Sequence, residues 1–250
     1  MLSRLKVAMG RQNFTPGFLG IWVNPFYFAR KGLFQHIASL APNVGGKTLD
    51  VGCGTKPYQQ WCNSSEYIGL EIDGAGKNAD YYYDGKTFPF RDDEFDSVIT
   101  NQVLEHVFNP DGFLSEISRV LKDGGTLLLS VPFVWDEHEQ PYDYGRYSSF
   151  GLRHLLEKHG FEIAEHRKST GDVRMIFQMI NAYIYKKTVT HSASINLLAT
   201  VVLMAPFNIL GELLAQVLPP NEDLYLDNIV LAKKKRTAAS LSLHEALIES

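Results

Sequence analysis

His106 and His138 are the side chains of this chain best suited to move a proton near neutral pH. His106 closes the run Val103-Leu104-Glu105-His106-Val107, just past a strand-like Phe95-Asp96-Ser97-Val98. His138 opens a polar, aromatic segment, His138-Glu139-Gln140-Pro141-Tyr142-Asp143-Tyr144-Gly145-Arg146-Tyr147, in which Tyr144, Arg146 and Tyr147 could grip a polar or sugar-like acceptor. His138-Glu139 invites a zinc reading, but position 142 is Tyr, so the paired-histidine metalloprotease helix is absent. Two ligands in a loop do not make a site, and no metal is expected.

A second group of residues points to a ligand rather than to proton transfer. Leu49-Asp50-Val51-Gly52-Cys53-Gly54-Thr55-Lys56-Pro57-Tyr58 reads as a buried strand broken by two glycines. Glycine at 52 and 54 permits positive φ and lets a ligand approach the main chain. Cys53 lies inside this turn, which favours packing over nucleophilic use. Glu71 follows a second apolar segment, Tyr67-Ile68-Gly69-Leu70, at about the 20-residue spacing at which a carboxylate meets a ribose diol. A dinucleotide site wants a third glycine where this chain has Pro57, so a phosphate-free adenosine compound fits better than NAD.

The elements needed to hold these groups are legible in order. Strands are expected at Thr48–Val51, Tyr67–Glu71, Asp80–Tyr83, Glu94–Thr100, Thr126–Val131, Phe161–His166 and Tyr225–Lys233. Helices are expected from Pro25 behind an Asn24 cap to Ala41-Pro42, and behind Asn109-Pro110 to a stop at Gly124-Gly125. Others start behind Ser148 or Ser149, and behind Asp172. Alternating strands and helices predict a parallel sheet with right-handed crossovers. The aromatics of 14–40 read as core packing or a substrate lid. Residues 1–13 are expected to be poorly ordered, and 237–250 to form a mobile tail or carry a short terminal helix.

A charged fraction of 21% with net charge −4 gives no basic face, which excludes nucleic acid as the expected partner. Cys53 and Cys62 cannot form a disulfide framework, and the N-terminus lacks a secretory h-region. The expected location is therefore cytoplasmic, or peripheral at the inner membrane face. The apolar stretch 195–218 is interrupted by Asn196, Pro206, Asn208, Glu212 and Gln216, leaving Leu197–Ala205 as its longest clean run. That is short of the about 20 residues a span requires. It reads first as a buried lid or homodimer face, next as a membrane-surface helix, last as a span.

The glycine turn Asp50-Val51-Gly52-Cys53-Gly54-Thr55 closely resembles the first motif of class I S-adenosylmethionine-dependent methyltransferases. Further likenesses lie at Asp84-Gly85 with Phe88-Pro89-Phe90, at Phe95–Val98 with Val103–Val107, and at Leu121-Lys122-Asp123-Gly124-Gly125-Thr126-Leu127. Together they cover residues 47–166. Narrower similarity, at Asn24-Pro25-Phe26-Tyr27 and Cys53–Tyr58, is to the small-molecule type of bacterial surface-polysaccharide synthesis.

The resemblance implies an α/β, Rossmann-like, doubly wound seven-stranded sheet, mostly parallel with an antiparallel last strand, plus helical additions. It divides the chain into an N-terminal cap (1–46), a core (47–170), a helical insertion (171–224), a last strand (225–236) and a tail (237–250). It also implies S-adenosyl-L-methionine as cofactor, held by Asp50, Gly52, Cys53, Gly54, Glu71, Ile72, Asp84, Gly85, Asn101 and Gln102. The expected activity is methyl transfer to a small-molecule or glycan/lipid-linked acceptor, with His138 or His106 as base. The alternative is a cofactor-binding partner subunit without turnover.

Overall fold

The computed structural model describes residue 12, residues 14–74 and residues 79–236. The expectations for 1–11, for 13 and for 237–250 lie outside the described residues. Seven strands form one sheet: β1 Gly45–Val51, β2 Asn63–Ile72, β3 Tyr81–Tyr83, β4 Phe95–Asn101, β5 Leu121–Pro132, β6 Phe161–Lys168 and β7 Asp227–Lys234. Their order is β3-β2-β1-β4-β5-β7-β6. The pairs β1/β2, β1/β4, β2/β3 and β4/β5 are parallel.

The last strand runs the other way. Lys235 N–H donates to Gly160 O at 2.8 Å, whereas at the far end Ser169 N–H donates to Asp227 O at 2.9 Å. Strand order reverses between β1 and β4, and the crevice outside their carboxyl ends is where such a sheet takes a ligand. The expected Rossmann-like architecture is the observed one.

The core explains why these stretches became strands. Leu49, Val51, Val98, Leu127 and Leu129 are fully buried on β1, β4 and β5, beneath Leu114, Ile117, Leu152 and Leu156. Each such side chain contributes about 1.5–3 kcal/mol on leaving water. Among the described residues the α-helices, besides a four-residue helical turn at Gly20–Val23, are α1 Tyr27–Leu40, α2 Pro110–Val120, α3 Ser149–Lys158, α4 Val173–Thr188, α5 Ala193–Ala199 and α6 Ala205–Leu214. Asn109, Ser148 and Asp172 each accept a backbone N–H and cap α2, α3 and α4.

Two boundaries differ from expectation for identifiable reasons. Asn24 Oδ1 does accept the Phe26 N–H at 2.8 Å, but α1 begins only at Tyr27. There the fully buried Gln178 caps it, its Oε1 accepting from Phe28 N at 3.1 Å and Ala29 N at 3.2 Å. α2 ends at Val120, and Gly124-Gly125 falls inside β5. The β4/β5 register shifts between Phe95 and Ser97, and Gly124 takes φ +76° there. Positive φ serves a bulge as readily as a helix end.

The chain forms two compact units. Among the described residues, one comprises Ala38–Pro132, His138–Arg167 and 228–236, and holds most of the sheet. The other gathers the described residues up to Ile37, Phe133–Glu137 and Lys168–Asp227. In that second unit α5 and α6 join through a π turn, Thr200–Met204, into a 22-residue helical stretch. Its length and composition suffice to cross a bilayer, contrary to the expectation that polar residues divide it. Pro206 follows the π turn directly, as the second residue of α6. Asn208 is buried, taking Asn181 Nδ2 at 2.9 Å and donating to Ile21 O at 2.8 Å.

Candidate active site

Gly52 and Gly54 follow β1 with φ of +71° and +52°. A Cβ on Gly52 would stand 2.3 Å from Val103 Cγ2, so Val103, two residues past β4, closes directly on the glycine turn. On Gly54 a Cβ would meet no protein atom within 4 Å, and the backbone there faces open space. Its N–H donates to Glu71 Oε2 at 3.0 Å, which brings the buried acidic residue at the end of β2 onto the turn. Ile72, the next residue, is 49% exposed although large and apolar.

Asp50 lies beneath this turn, buried at 5% exposure, its carboxyl accepting from Tyr67 Oη at 2.8 Å. Burial pushes it up to about 7, against the opposing effects of the Tyr67 bond and the Lys56 charge. Cys53 is buried too, and its thiol is pushed up to about 11 by burial and by the Asp50 charge, so it is no nucleophile at neutral pH.

Two partners here were not foreseen. Lys56, at φ +54°, pairs with Asp80, whose Oδ2 also accepts Gly69 N–H at 2.6 Å. A lysine just past a glycine turn was the available signal.

Asn101 and Gln102 stand at the carboxyl end of β4. Ser130 Oγ donates to Asn101 Oδ1 and accepts from Gln102 Nε2 at 3.3 Å, while Gln102 N–H donates to Ser130 O at 3.0 Å. Gln102 has φ +57°, a strained conformation of the kind that gathers at functional sites. Asp84 is exposed after β3, its Oδ1 accepting from Lys86 N at 2.9 Å and Thr87 N at 3.1 Å. Those two bonds hold its carboxylate below the usual range. Gly85 follows at φ +80°, its absent Cβ 3.3 Å from Ile72 Cδ1.

The two histidines meet. Their rings lie edge to face with centroids 4.8 Å apart. The polar loop is fastened to the Leu104–His106 turn by Tyr144 N and Gly145 N, which donate to Glu105 O at 2.8 and 3.1 Å. His106 Nδ1 bonds Tyr142 O at 2.7 Å, so that nitrogen carries the proton and Nε2 keeps the lone pair. His138 Nδ1 lies 3.2 Å from Asp143 Oδ2, and the same oxygen accepts the His138 N–H at 2.9 Å. This leaves His138 Nε2 as its basic atom in the neutral ring.

Asp143, nearly fully buried, receives Arg146 in a two-pronged pair at 2.6 and 2.7 Å. That pair holds its carboxyl down at about 2. Arg146 therefore acts on His138 through Asp143. Tyr147 packs partly buried against the core, and burial raises its hydroxyl. Tyr144 is exposed, its ring edge to face with Phe108 at 5.3 Å. Glu105, fully buried, adds an oxygen 3.8 Å from His106 Nε2. Glu105, His106 and His138 place ligand-type atoms within 4.8 Å of one another, a grouping that motif spacing alone did not reveal. Exposed Glu139 takes no part in it.

The residues present fit an adenosyl cofactor. The open space at Gly54, the buried carboxylate of Glu71 and the bare face of Ile72 supply backbone, ribose-directed and apolar surfaces in one place. A family profile described as a methyltransferase domain matches residues 26–166. Among curated proteins, the demethylmenaquinone methyltransferase of Mycobacterium tuberculosis is 32% identical over 101 residues, 37% of this chain and 43% of that one. A sterol 24-C-methyltransferase of Gibberella zeae is 31% identical over 134 residues, 42% and 35% of the two chains. The chain thus spans less than half the length of these relatives.

Among solved structures, Haemonchus contortus phosphoethanolamine N-methyltransferase 2, in complex with phosphomonomethylethanolamine and S-adenosylhomocysteine, superposes with TM-score 0.53 at 16% identity. The match covers 88% of this chain and 56% of that one. The [4+2]-cyclase SpnF gives TM-score 0.51 at 21% identity over 82% of each, so the fold alone does not fix the reaction. The match over 26–166 contains the glycine turn, Glu71 and both histidine segments, and with it the chain belongs to the class I methyltransferase-domain family, whose cofactor is S-adenosyl-L-methionine.

Proposed function

We propose that this chain methylates a small-molecule or glycan/lipid-linked acceptor, with His138 as general base. The observation that carries the reading is the oriented imidazole: Asp143 holds His138 Nδ1, Arg146 holds Asp143, and the ring faces His106 beside the β4 turn. Glu71 serves the ribose, Ile72 and Gly85 the adenine face, and Asp84 the adenine amino group, a donor that suits a carboxylate. Gly52, Cys53 and Gly54 form the floor, and Asn101 and Gln102 line the end of β4.

When bound, S-adenosylmethionine supplies an already electrophilic methyl group, so the protein's work is alignment and proton removal. An acceptor hydroxyl or ammonium gives its proton to His138 Nε2, and the fixed Nδ1 contact to Asp143 stabilises the imidazolium that results. His106, its Nε2 near Glu105, is placed to relay that proton. Tyr144 offers an exposed ring and hydroxyl to the acceptor.

Parallel calorimetric titrations with S-adenosylmethionine, S-adenosylhomocysteine and NAD test the cofactor reading. Micromolar binding of both adenosyl compounds and none of NAD is expected, and the reverse would overturn it. His138→Ala should keep cofactor affinity and lower turnover by about 10²–10⁴-fold. Unchanged turnover would remove His138 as the base.

A further inference from the structure

Within the second unit, the helical stretch Ala193–Leu214 is inverted in character. Of the residues it buries, Thr200, Ala205, Asn208 and Gly211 are small or polar and Met204 alone is large and apolar. They pack on α4 and on the helical turn Gly20–Val23. Exposed aliphatic residues mark its outer face: Ile195, Leu198 and Val202, then Leu210 and Leu213, follow at three- or four-residue steps, with the exposed Pro206 midway across the eight-residue gap from Val202 to Leu210. Leu198 is 64% exposed, and only 28% of the apolar window is buried within the protein. A soluble core helix would show the opposite pattern.

We propose that this stripe seats the protein on an anionic lipid bilayer, lying in the interface rather than crossing it. The inference stands independently of the methyl-transfer reading. The elements packed against this stretch carry the chemistry of a lipid boundary. Trp22, within the turn Gly20–Val23 that packs on its inner face, and Phe18, two residues before that turn, are exposed, as is Tyr183 on α4. Lys187 lies over the Tyr183 ring, its neighbour Lys186 pairs with Asp136 at 2.9 Å, and Glu212 is the one acidic residue between 189 and 221. Amphipathic aromatics and lysines at the rim of an aliphatic face suit headgroups above and acyl chains below.

A second copy of the chain fits less well. Protein interfaces carry about one hydrogen bond per 100–200 Å², and the stripe offers no hydrogen-bonding side chain. A spanning orientation fits poorly too. It would strip Asn208 of its bonds to Asn181 and Ile21, and Glu212 of Lys31 at 2.8 Å and Arg174 at 3.6 Å.

The test is co-sedimentation of the purified full chain with vesicles of phosphatidylcholine plus phosphatidylglycerol, and of phosphatidylcholine alone. The wild type should pellet with the anionic vesicles and be released by alkaline carbonate. Leu198→Asp/Leu213→Asp, both at exposed positions, should lower the partition coefficient at least about tenfold, with thermal unfolding unchanged as evidence of an intact fold. Lys187→Gln should weaken only the anionic binding and leave the fold unchanged. A wild type that stays in the supernatant with both vesicles overturns the proposal. So does a dimer in sedimentation velocity that the double substitution dissociates without lipid, or a pellet that resists carbonate.

Discussion

Replacing Asp50 by asparagine separates the carboxylate's charge from its hydrogen bond to Tyr67, because the amide oxygen can still accept from the phenol. Burial drives the Asp50 carboxyl from 3.8 to about 7, with Glu71 pushing the same way and Tyr67 and Lys56 only partly opposing. The folded protein therefore holds this proton over a range where the unfolded chain has lost it. The stabilisation linked to that proton is fully present below about pH 4 and is lost as pH rises through about 7. A displacement of about three pH units, at about 1.4 kcal/mol each, comes to about 4 kcal/mol across the window. Roughly 2–3 kcal/mol of it falls between pH 5 and 8.

Asparagine cannot ionise, so urea unfolding of Asp50→Asn and wild type should diverge as pH rises from 5 to 7, the variant gaining, and run parallel above about 7.5. Tyr67→Phe removes a bond that favours the charged form and should move the wild-type loss to higher pH. A difference between Asp50→Asn and wild type that is flat with pH, or that grows on acidification, would refute the burial argument.

Gly52→Ala should cost about 2 kcal/mol or more in denaturation midpoint, since its Cβ meets Val103 at 2.3 Å in a left-handed conformation, and Val103→Ala should recover part of that. Gly54→Ala, with open space around it, should cost about 1 kcal/mol in stability while cofactor affinity measured by calorimetry falls more steeply. Asp143→Asn should lower turnover with little change in cofactor affinity. It should also remove a stability contribution that the wild type keeps above about pH 4 and loses as pH falls toward about 2, checked by acid titration of circular dichroism. Chelation by EDTA should leave turnover unchanged, because the proposed base needs His138 Nε2 unligated. Loss of turnover on chelation, restored by a divalent ion, would assign Glu105, His106 and His138 to a metal instead.

Much of the core was legible because its signals are local. Asn109, Ser148 and Asp172 announce helix starts through side chains that bond backbone within three residues. The glycine turn and Glu71 come together, Gly54 N–H on Glu71 Oε2, through spacing that a strand–turn–strand unit preserves. Boundaries slipped where one local signal serves two ends. Gly124-Gly125 reads as a helix stop, but pairing with β4 makes it a bulge within β5. The same holds for 195–218, where Asn208 and Glu212 read as interruptions. Their partners, Asn181, Ile21, Lys31 and Arg174, lie far off in sequence, and once bonded they permit a continuous helix.

The sequence by itself determined the strand-and-helix alternation, the glycine turn from Asp50 to Gly54, the carboxylate at Glu71 and the two histidine segments that follow β4 and β5, because backbone propensity and motif spacing are short-range properties. Only the tertiary structure decided that His106 faces His138, that Arg146 acts through Asp143, and that the aliphatic face of Ala193–Leu214 points outward. Those outcomes depend on which distant polar groups satisfy one another on burial, and that choice is made by the packed fold as a whole.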